Sequence, residues 1–180
     1  MTKQNQRKIL GIDVGVKNLG VCVLQDAHIE FCECFTIVQK KRPNVEDLGF
    51  SLYTILDTIM DTYNPMIIGI ENQPAKLQNK TVKTVQMLIE SFFIALKYKH
   101  DSTVPKVKRV NPASKLKGLG LKKGGYKNNK QNAIQCVNNL FSEEYLTIED
   151  DSKQKFESLS KKDDISDAIL IAMCNQSRCS

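Results

Sequence analysis

Tryptophan is absent, histidine occurs only at His28 and His100, and none of the six cysteines forms a Cys-x-x-Cys pair. That scarcity argues against a structural zinc site, which draws its ligands from closely spaced Cys and His. The cysteines sit in apolar contexts (Cys22, Cys136, Cys174), in a close pair (Cys32, Cys34) or near the end (Cys179), and without a secretory signal they read as reduced thiols. No apolar run is long enough to span a bilayer. The opening residues from Thr2 to Lys8 are polar and basic, unlike a secretory or transit peptide, so the chain is expected to stay in the cytoplasm where it is made.

Acids are missing from one long segment. Between Lys106 and Lys130 there are nine Lys and Arg and not one Asp or Glu, although the whole chain carries 26 bases, 20 acids and a net charge of +6. Outside that segment the remaining 17 bases are outnumbered by the 20 acids, so the basicity is local and points to a polyanionic partner.

What is present fits one domain over residues 1–180, long enough to bury a core without disulfides. Lys8–Gly15 reads as a buried strand ending in a polar turn, Leu19–Gln25 as its hairpin partner, and about Ile29 to Val38 as a third antiparallel strand. Apolar residues at helical spacing predict a helix over about Val45 to Tyr63, and Met66–Glu71 is a short apolar strand that ends in a carboxylate. A second helix is expected from about Thr81 to Lys99, then a strand from Val104 to Val110. The Lys-, Gly- and Asn-rich stretch at about 111–129 reads as a basic mobile loop. A helix from about Asn129 to Phe141, a polar acidic loop to Lys162 and a last helix from Asp163 to Asn175 follow. The order is α/β: a mixed five-stranded sheet, three antiparallel strands and then two more, flanked by helices.

Acids stand where apolar elements end. Asp13 closes the first strand, Glu71 closes the fourth, and Asp164 and Asp167 open the last helix three residues apart, on one face. Ionised carboxylates are costly to bury unless paired or bound to metal. All-oxygen ligands favour Mg²⁺ or Mn²⁺, and two such ions can drive in-line phosphodiester hydrolysis with no Ser, His or Cys nucleophile. Asp163 with Asp167, at spacing four, would serve as well as Asp164 with Asp167. Each acid also has a plain structural reading: Ser160 and Asp163 resemble a capping box, acids favour a helix N-terminus, and Asp13 and Glu71 suit turns and strand exits. The conjunction of the acids in three elements is what favours chemistry.

Three segments carry a family resemblance. Gly11-Ile12-Asp13-Val14-Gly15 with its glycine-containing hairpin resembles the opening of the RuvC-like resolvases, Ile70-Glu71-Asn72-Gln73-Pro74 is similar to their second motif, and Lys162-Asp163-Asp164-Ile165-Ser166-Asp167-Ala168 resembles their last. Motif form and length look most like the poxvirus Holliday junction resolvases, with the fungal mitochondrial resolvases next. The resemblance implies a ribonuclease H-like fold of the retroviral integrase superfamily and a homodimer that binds four-way DNA junctions. It implies paired nicks that depend on Mg²⁺, with Mn²⁺ as a substitute, at two ions per site, in viral recombination and concatemer resolution. By position it makes Asp13, Glu71, Asp164 and Asp167 the metal ligands and Lys130 the lysine that neutralises phosphate charge. Lys115, Lys117, Lys122, Lys123, Tyr126, Lys127 and Gln73 then fall to DNA binding, and Phe141 either stacks on an opened base or packs.

Three other functions compete. An actin- or Hsp70-like ATPase shares the Gly-Ile-Asp-x-Gly opening but needs two such halves, and this chain has length for one. A non-catalytic nucleic-acid-binding module would need only the basic loop, and four retained acids would repel phosphate. A ribonuclease of the same fold, acting on structured RNA or RNA–DNA hybrids, is distinguished only weakly by the last motif.

Overall fold

The computed structural model describes residues 7–73, 80–99, 105–112, 126–149, 153, 156–157 and 162–176, with backbone alone for 126–130. Strands β1 (Lys8–Asp13), β2 (Leu19–Gln25) and β3 (His28–Phe35) form the antiparallel opening, and helix α1 (Val45–Tyr63) follows. The chain continues as β4 (Ile67–Glu71), α2 (Lys80–Lys99), β5 (Lys106–Val110), α3 (Tyr126–Ser142), β6 (Thr147–Ile148) and α4 (Lys162–Gln176).

The six strands form one sheet in the order β5-β4-β1-β2-β3-β6. β1 lies at the centre, antiparallel to β2 and parallel to β4, and β4 is in turn parallel to β5. The sheet thus has one strand more than the five expected. The extra strand is two residues long and pairs in parallel with the start of β3, His28 opposite Thr147. Two residues carry no readable alternation, and the surrounding stretch reads as polar loop.

Alternation along the strands divides the core between the two faces. Leu10, Ile12, Val21, Val23, Ile68 and Ile70 point to α1 and α2, where they meet Leu52, Leu56, Val85, Ile89 and Phe93. Ile9, Cys22, Leu24 and Ile67 point to α3 and α4 and meet Ala133, Val137, Ile165, Ala168 and Ile169. Phe156 belongs to this second core at 2% exposure, edge-on to Phe141 at 5.9 Å, so a stretch expected to be polar loop contributes one of its largest buried side chains. That contact also answers the alternative for Phe141, which packs.

Local signals set the helix ends. Asn44 caps α1 in a reciprocal box, accepting from the Asp47 N–H at 2.7 Å while its own N–H donates to Asp47 Oδ2 at 3.1 Å. Asn64 ends the helix at φ 47°, a left-handed conformation that Asn tolerates. α3 begins at Tyr126, three residues before the expected start, so Tyr126 and Lys127 stand on a helix and not in the loop. Residues 113–125 of the expected loop, with Lys115, Lys117, Lys122 and Lys123, lie outside the described residues, as does Val104.

Candidate metal centre

The parallel pairing of β1 with β4 puts Ile12 level with Ile70, so Asp13 and Glu71, one residue further on, leave the sheet side by side at the same end. Both follow strand residues that point to α1 and α2, and alternation turns the two acids to the α4 face. On the other side of β1, Asp13 is opposite Gly20 of β2.

Gly20 is what admits the third element. A Cβ built there would lie 2.2 Å from the Asp164 carbonyl oxygen and 3.3 Å from the Asp13 Cβ. The first turn of α4 therefore rests directly on β2 beside Asp13, which no residue with a side chain would allow. One turn later a Cβ at Gly11 would meet the Ala168 carbonyl oxygen at 2.2 Å, so the helix keeps the same close approach along the central strands. Asp164, Ala168 and Ala172 recur at helical spacing on the face that makes these contacts.

Asp13 is 9% exposed, and Glu71, Asp163, Asp164 and Asp167 are half-buried. Asp13 and Asp164 line one open cleft of about 540 Å³, with Val14 to Asn18 of the β1–β2 turn, Lys40, Lys41, Pro43 and the start of α2 at Thr81 and Val82. Of the two acids that sequence spacing leaves open, Asp164 is the one on the cleft wall. Glu71 is held from behind: Gln73 Nε2 donates to its Oε2 at 3.1 Å, and Gln73 is itself 8% exposed. Gln73, expected to contact DNA, thus gives its amide to an acid of the site.

Among the described residues no three of His, Cys, Asp or Glu converge closely enough to enclose an ion as they stand. The donor set nonetheless fits a hard divalent cation. It consists of carboxylate oxygens from three elements meeting at one end of the sheet, with one of them, Asp13, almost removed from water, where an uncompensated charge is expensive. The helix contact at Gly20 brings two of these acids together by backbone packing.

Lys17, Lys40 and Lys41 on the cleft wall were missed in the sequence. The signal was available in the run Lys40-Lys41-Arg42-Pro43 ahead of α1, which the longer basic segment overshadowed. Lys40 also bonds Asp47 Oδ2 at 2.8 Å, and that hydrogen bond, with the one from the Asn44 backbone, holds the exposed Asp47 carboxyl below its ordinary range. Of the residues expected beyond the acids, Lys127, Lys130 and Tyr126 lie in the first turns of α3, their side chains outside the described set.

The family model described as Poxvirus A22 protein matches residues 7–176. No curated protein sequence matches the chain. Among solved structures, the yeast mitochondrial Holliday junction resolvase is similar with a TM-score of 0.74 at 19% identity, over 94% of this chain and 78% of that one. Thermus thermophilus RuvC in complex with a Holliday junction substrate is similar with a TM-score of 0.67 at 14% identity, over 96% and 94%. The fowlpox virus Holliday junction resolvase gives 0.66 at 18% identity, over 95% and 99%. At these identities the likeness shows the fold, which is α/β and of the RuvC-like, ribonuclease H-like type.

Proposed function

The chain belongs to the poxvirus A22 protein family, a family of Holliday junction resolvases, and from that premise we propose that it is a structure-specific endonuclease that resolves four-way DNA junctions by phosphodiester hydrolysis. One observation carries the reading to this chain. Asp13, Glu71 and Asp164 come from two parallel strand ends and a helix start to one end of the sheet, and Asp13 and Asp164 line a cleft together with Lys17, Lys40 and Lys41.

In this reading Asp13, Glu71, Asp164 and Asp167 hold divalent cations, Mg²⁺ with Mn²⁺ as a substitute, at two ions per site. The cations supply the positive charge that makes water a nucleophile at neutral pH and that eases departure of the 3′ oxygen. Everything else falls to the protein. The acids fix where that charge sits, because α4 packs directly on β1 at Gly11 and on β2 at Gly20, and β4 is paired to β1. Lys17, Lys40 and Lys41 attract the phosphate backbone into the cleft, offsetting the repulsion that bare carboxylates would exert on it.

Lys130 neutralises charge near the scissile phosphate, and Lys115, Lys117, Lys122, Lys123, Tyr126 and Lys127 hold the DNA arm. The nuclease works as one domain. Two cuts related by the junction's two-fold symmetry call for two related sites, hence a homodimer. Membership of a poxvirus family supports viral replication sites in the cytoplasm as the setting of this work, in recombination and concatemer resolution. Among the described residues no helix is long and apolar enough to cross a membrane.

The test is cleavage of an end-labelled four-way junction beside linear duplex and an RNA–DNA hybrid, each with Mg²⁺, Mn²⁺ or EDTA. Paired, metal-dependent nicks confined to the junction are expected. Preferential cutting of the hybrid would move the protein to the ribonucleases, and binding without cutting in any metal would make it a non-catalytic module.

A further inference from the structure

The last main-chain bond between β4 and β5 is donated by Asn72 N–H to the Val110 carbonyl, 2.9 Å. Beyond it, at Gln73, side chains take over from the sheet. The Gln73 N–H donates to Gln86 Oε1 at 3.1 Å, and the Gln73 carbonyl accepts from Lys83 Nζ at 3.2 Å. Gln86 Nε2 donates to Glu90 Oε1 at 2.9 Å. Arg109 of β5 grips Glu90 with two bonds of 2.7 Å, from Nε to Oε1 and from Nη2 to Oε2. Lys83, Gln86 and Glu90 lie at spacings of three and four, so one face of α2 carries the whole connection.

We propose that the chain of Gln73, Gln86, Glu90 and Arg109 is a positioning device that sets the Glu71 carboxylate for binding a divalent cation. This deepens the nuclease reading and rests on it. Gln86 is 1% exposed, and an amide so deeply buried is costly unless both of its ends are paired. Because its oxygen accepts from the Gln73 main chain, its NH₂ must point to an acceptor, and Glu90 is that acceptor. The amide cannot flip without losing both bonds. The orientation of Gln73 follows, and with it the direction from which Gln73 Nε2 reaches Glu71 Oε2.

The choice of donors has a chemical consequence. Gln73 presents a neutral amide, which orients the Glu71 carboxylate without cancelling the charge a cation needs. The guanidinium in the chain is spent on Glu90, at the far end. Hydrogen-bonded partners behind a metal ligand usually change metal affinity or activity by about 10–100-fold when removed.

The experiment is a titration of the DNA-free protein with Mn²⁺, followed by electron paramagnetic resonance, for wild type, Gln86→Leu, Arg109→Gln, Glu71→Gln and the Glu71→Gln/Gln86→Leu pair. Gln86→Leu keeps the buried bulk while deleting both hydrogen bonds. It is expected to weaken Mn²⁺ binding by about 10–100-fold and to raise the Mg²⁺ needed for half-maximal junction cleavage, with junction binding in EDTA unchanged. Arg109→Gln, at an exposed position that does not endanger folding, should shift binding in the same direction by less. Added to Glu71→Gln, Gln86→Leu should cost nothing further, because its effect runs through that carboxylate.

Mn²⁺ binding as in wild type for both single variants, or full additivity in the pair, would overturn the proposal. Should Gln86→Leu not fold, Arg109→Gln alone decides. Because the titration contains no DNA, a wild type that binds Mn²⁺ but leaves the junction uncut sinks the resolvase reading, while the variants still uphold or overturn the positioning role.

Discussion

On the α1–α2 side of the sheet the space is filled by large side chains, with Phe92, Phe93, Leu52 and Leu56 spacing the helices from the strands. On the α4 side the spacing is removed, and backbone meets backbone at Gly11 and Gly20. A layer held by side chains can repack around a lost methyl group, whereas a layer held by main-chain contact has nothing to adjust. The acids of the candidate centre use the second layer. Asp13 and Asp164 owe their proximity to a missing Cβ, while Glu71 is steadied from the first layer by polar side chains of α2.

Asp13→Asn tests the metal end of this comparison and should have the largest effect. Junction cleavage should fall by roughly 10³-fold or more while junction binding is kept or improved, since a carboxylate that repels phosphate is gone. Electrophoretic binding assays in EDTA beside cleavage assays would show it, and lost binding would make the acid structural. Gly20→Ala comes next. Its Cβ would meet the Asp164 carbonyl at 2.2 Å, so α4 must shift. We expect a stability loss of about 1–3 kcal/mol and a cleavage loss of about 10²-fold, read by denaturant melts and single-turnover rates.

Leu56→Ala probes the opposite layer. It should cost about 2–5 kcal/mol in a denaturant melt, yet leave the cleavage rate of the folded fraction near wild type. A rate loss as large as that of Gly20→Ala would erase the distinction between the layers. Lys41→Ala should be milder: weaker binding to all DNA sequences and a salt slope smaller by about 1, measured by titration at several salt concentrations.

The smallest effect concerns acid. Burial pushes the Glu90 carboxyl up, but hydrogen bonds from Arg109 and Gln86 and the Arg109 charge bring it below its ordinary value. A carboxyl lowered on folding contributes stability that is present above its unfolded pKa and is lost as pH falls through its folded one. Wild type should therefore lose slightly more stability than Glu90→Gln on acidification below the usual carboxylate range. Parallel pH profiles of the two melts would expose this small difference.

The sequence made the long elements readable because each carries its own period. β1, β2, α1 and β4 announce themselves by apolar patterning, and the acids that end β1 and β4 stand out against it. What stayed hidden depends on partners far along the chain. β6 exists only because Thr147 and Ile148 find the start of β3, and Phe156 is core only because Phe141 and its neighbours surround it. Gln86 sits in an amphipathic helix like any polar residue, and nothing local says that its amide joins the exit of β4 to Glu90. That Asp164, and not Asp163, lines the cleft likewise depends on the contact of α4 with Gly20, which spacing along one helix cannot supply.

The two rims of the sheet differ in how they refuse company. β6 is only two residues long, too short to template another strand. β5 is longer and has no strand beyond it among the described residues, but it reads Lys106-Val107-Lys108-Arg109-Val110. Two copies approaching rim to rim would bring the basic residues of one, Lys106 among them, against those of the other, which disfavours growth of the sheet by strand addition. The charge carried by this rim thus acts as a guard on the protein's own backbone.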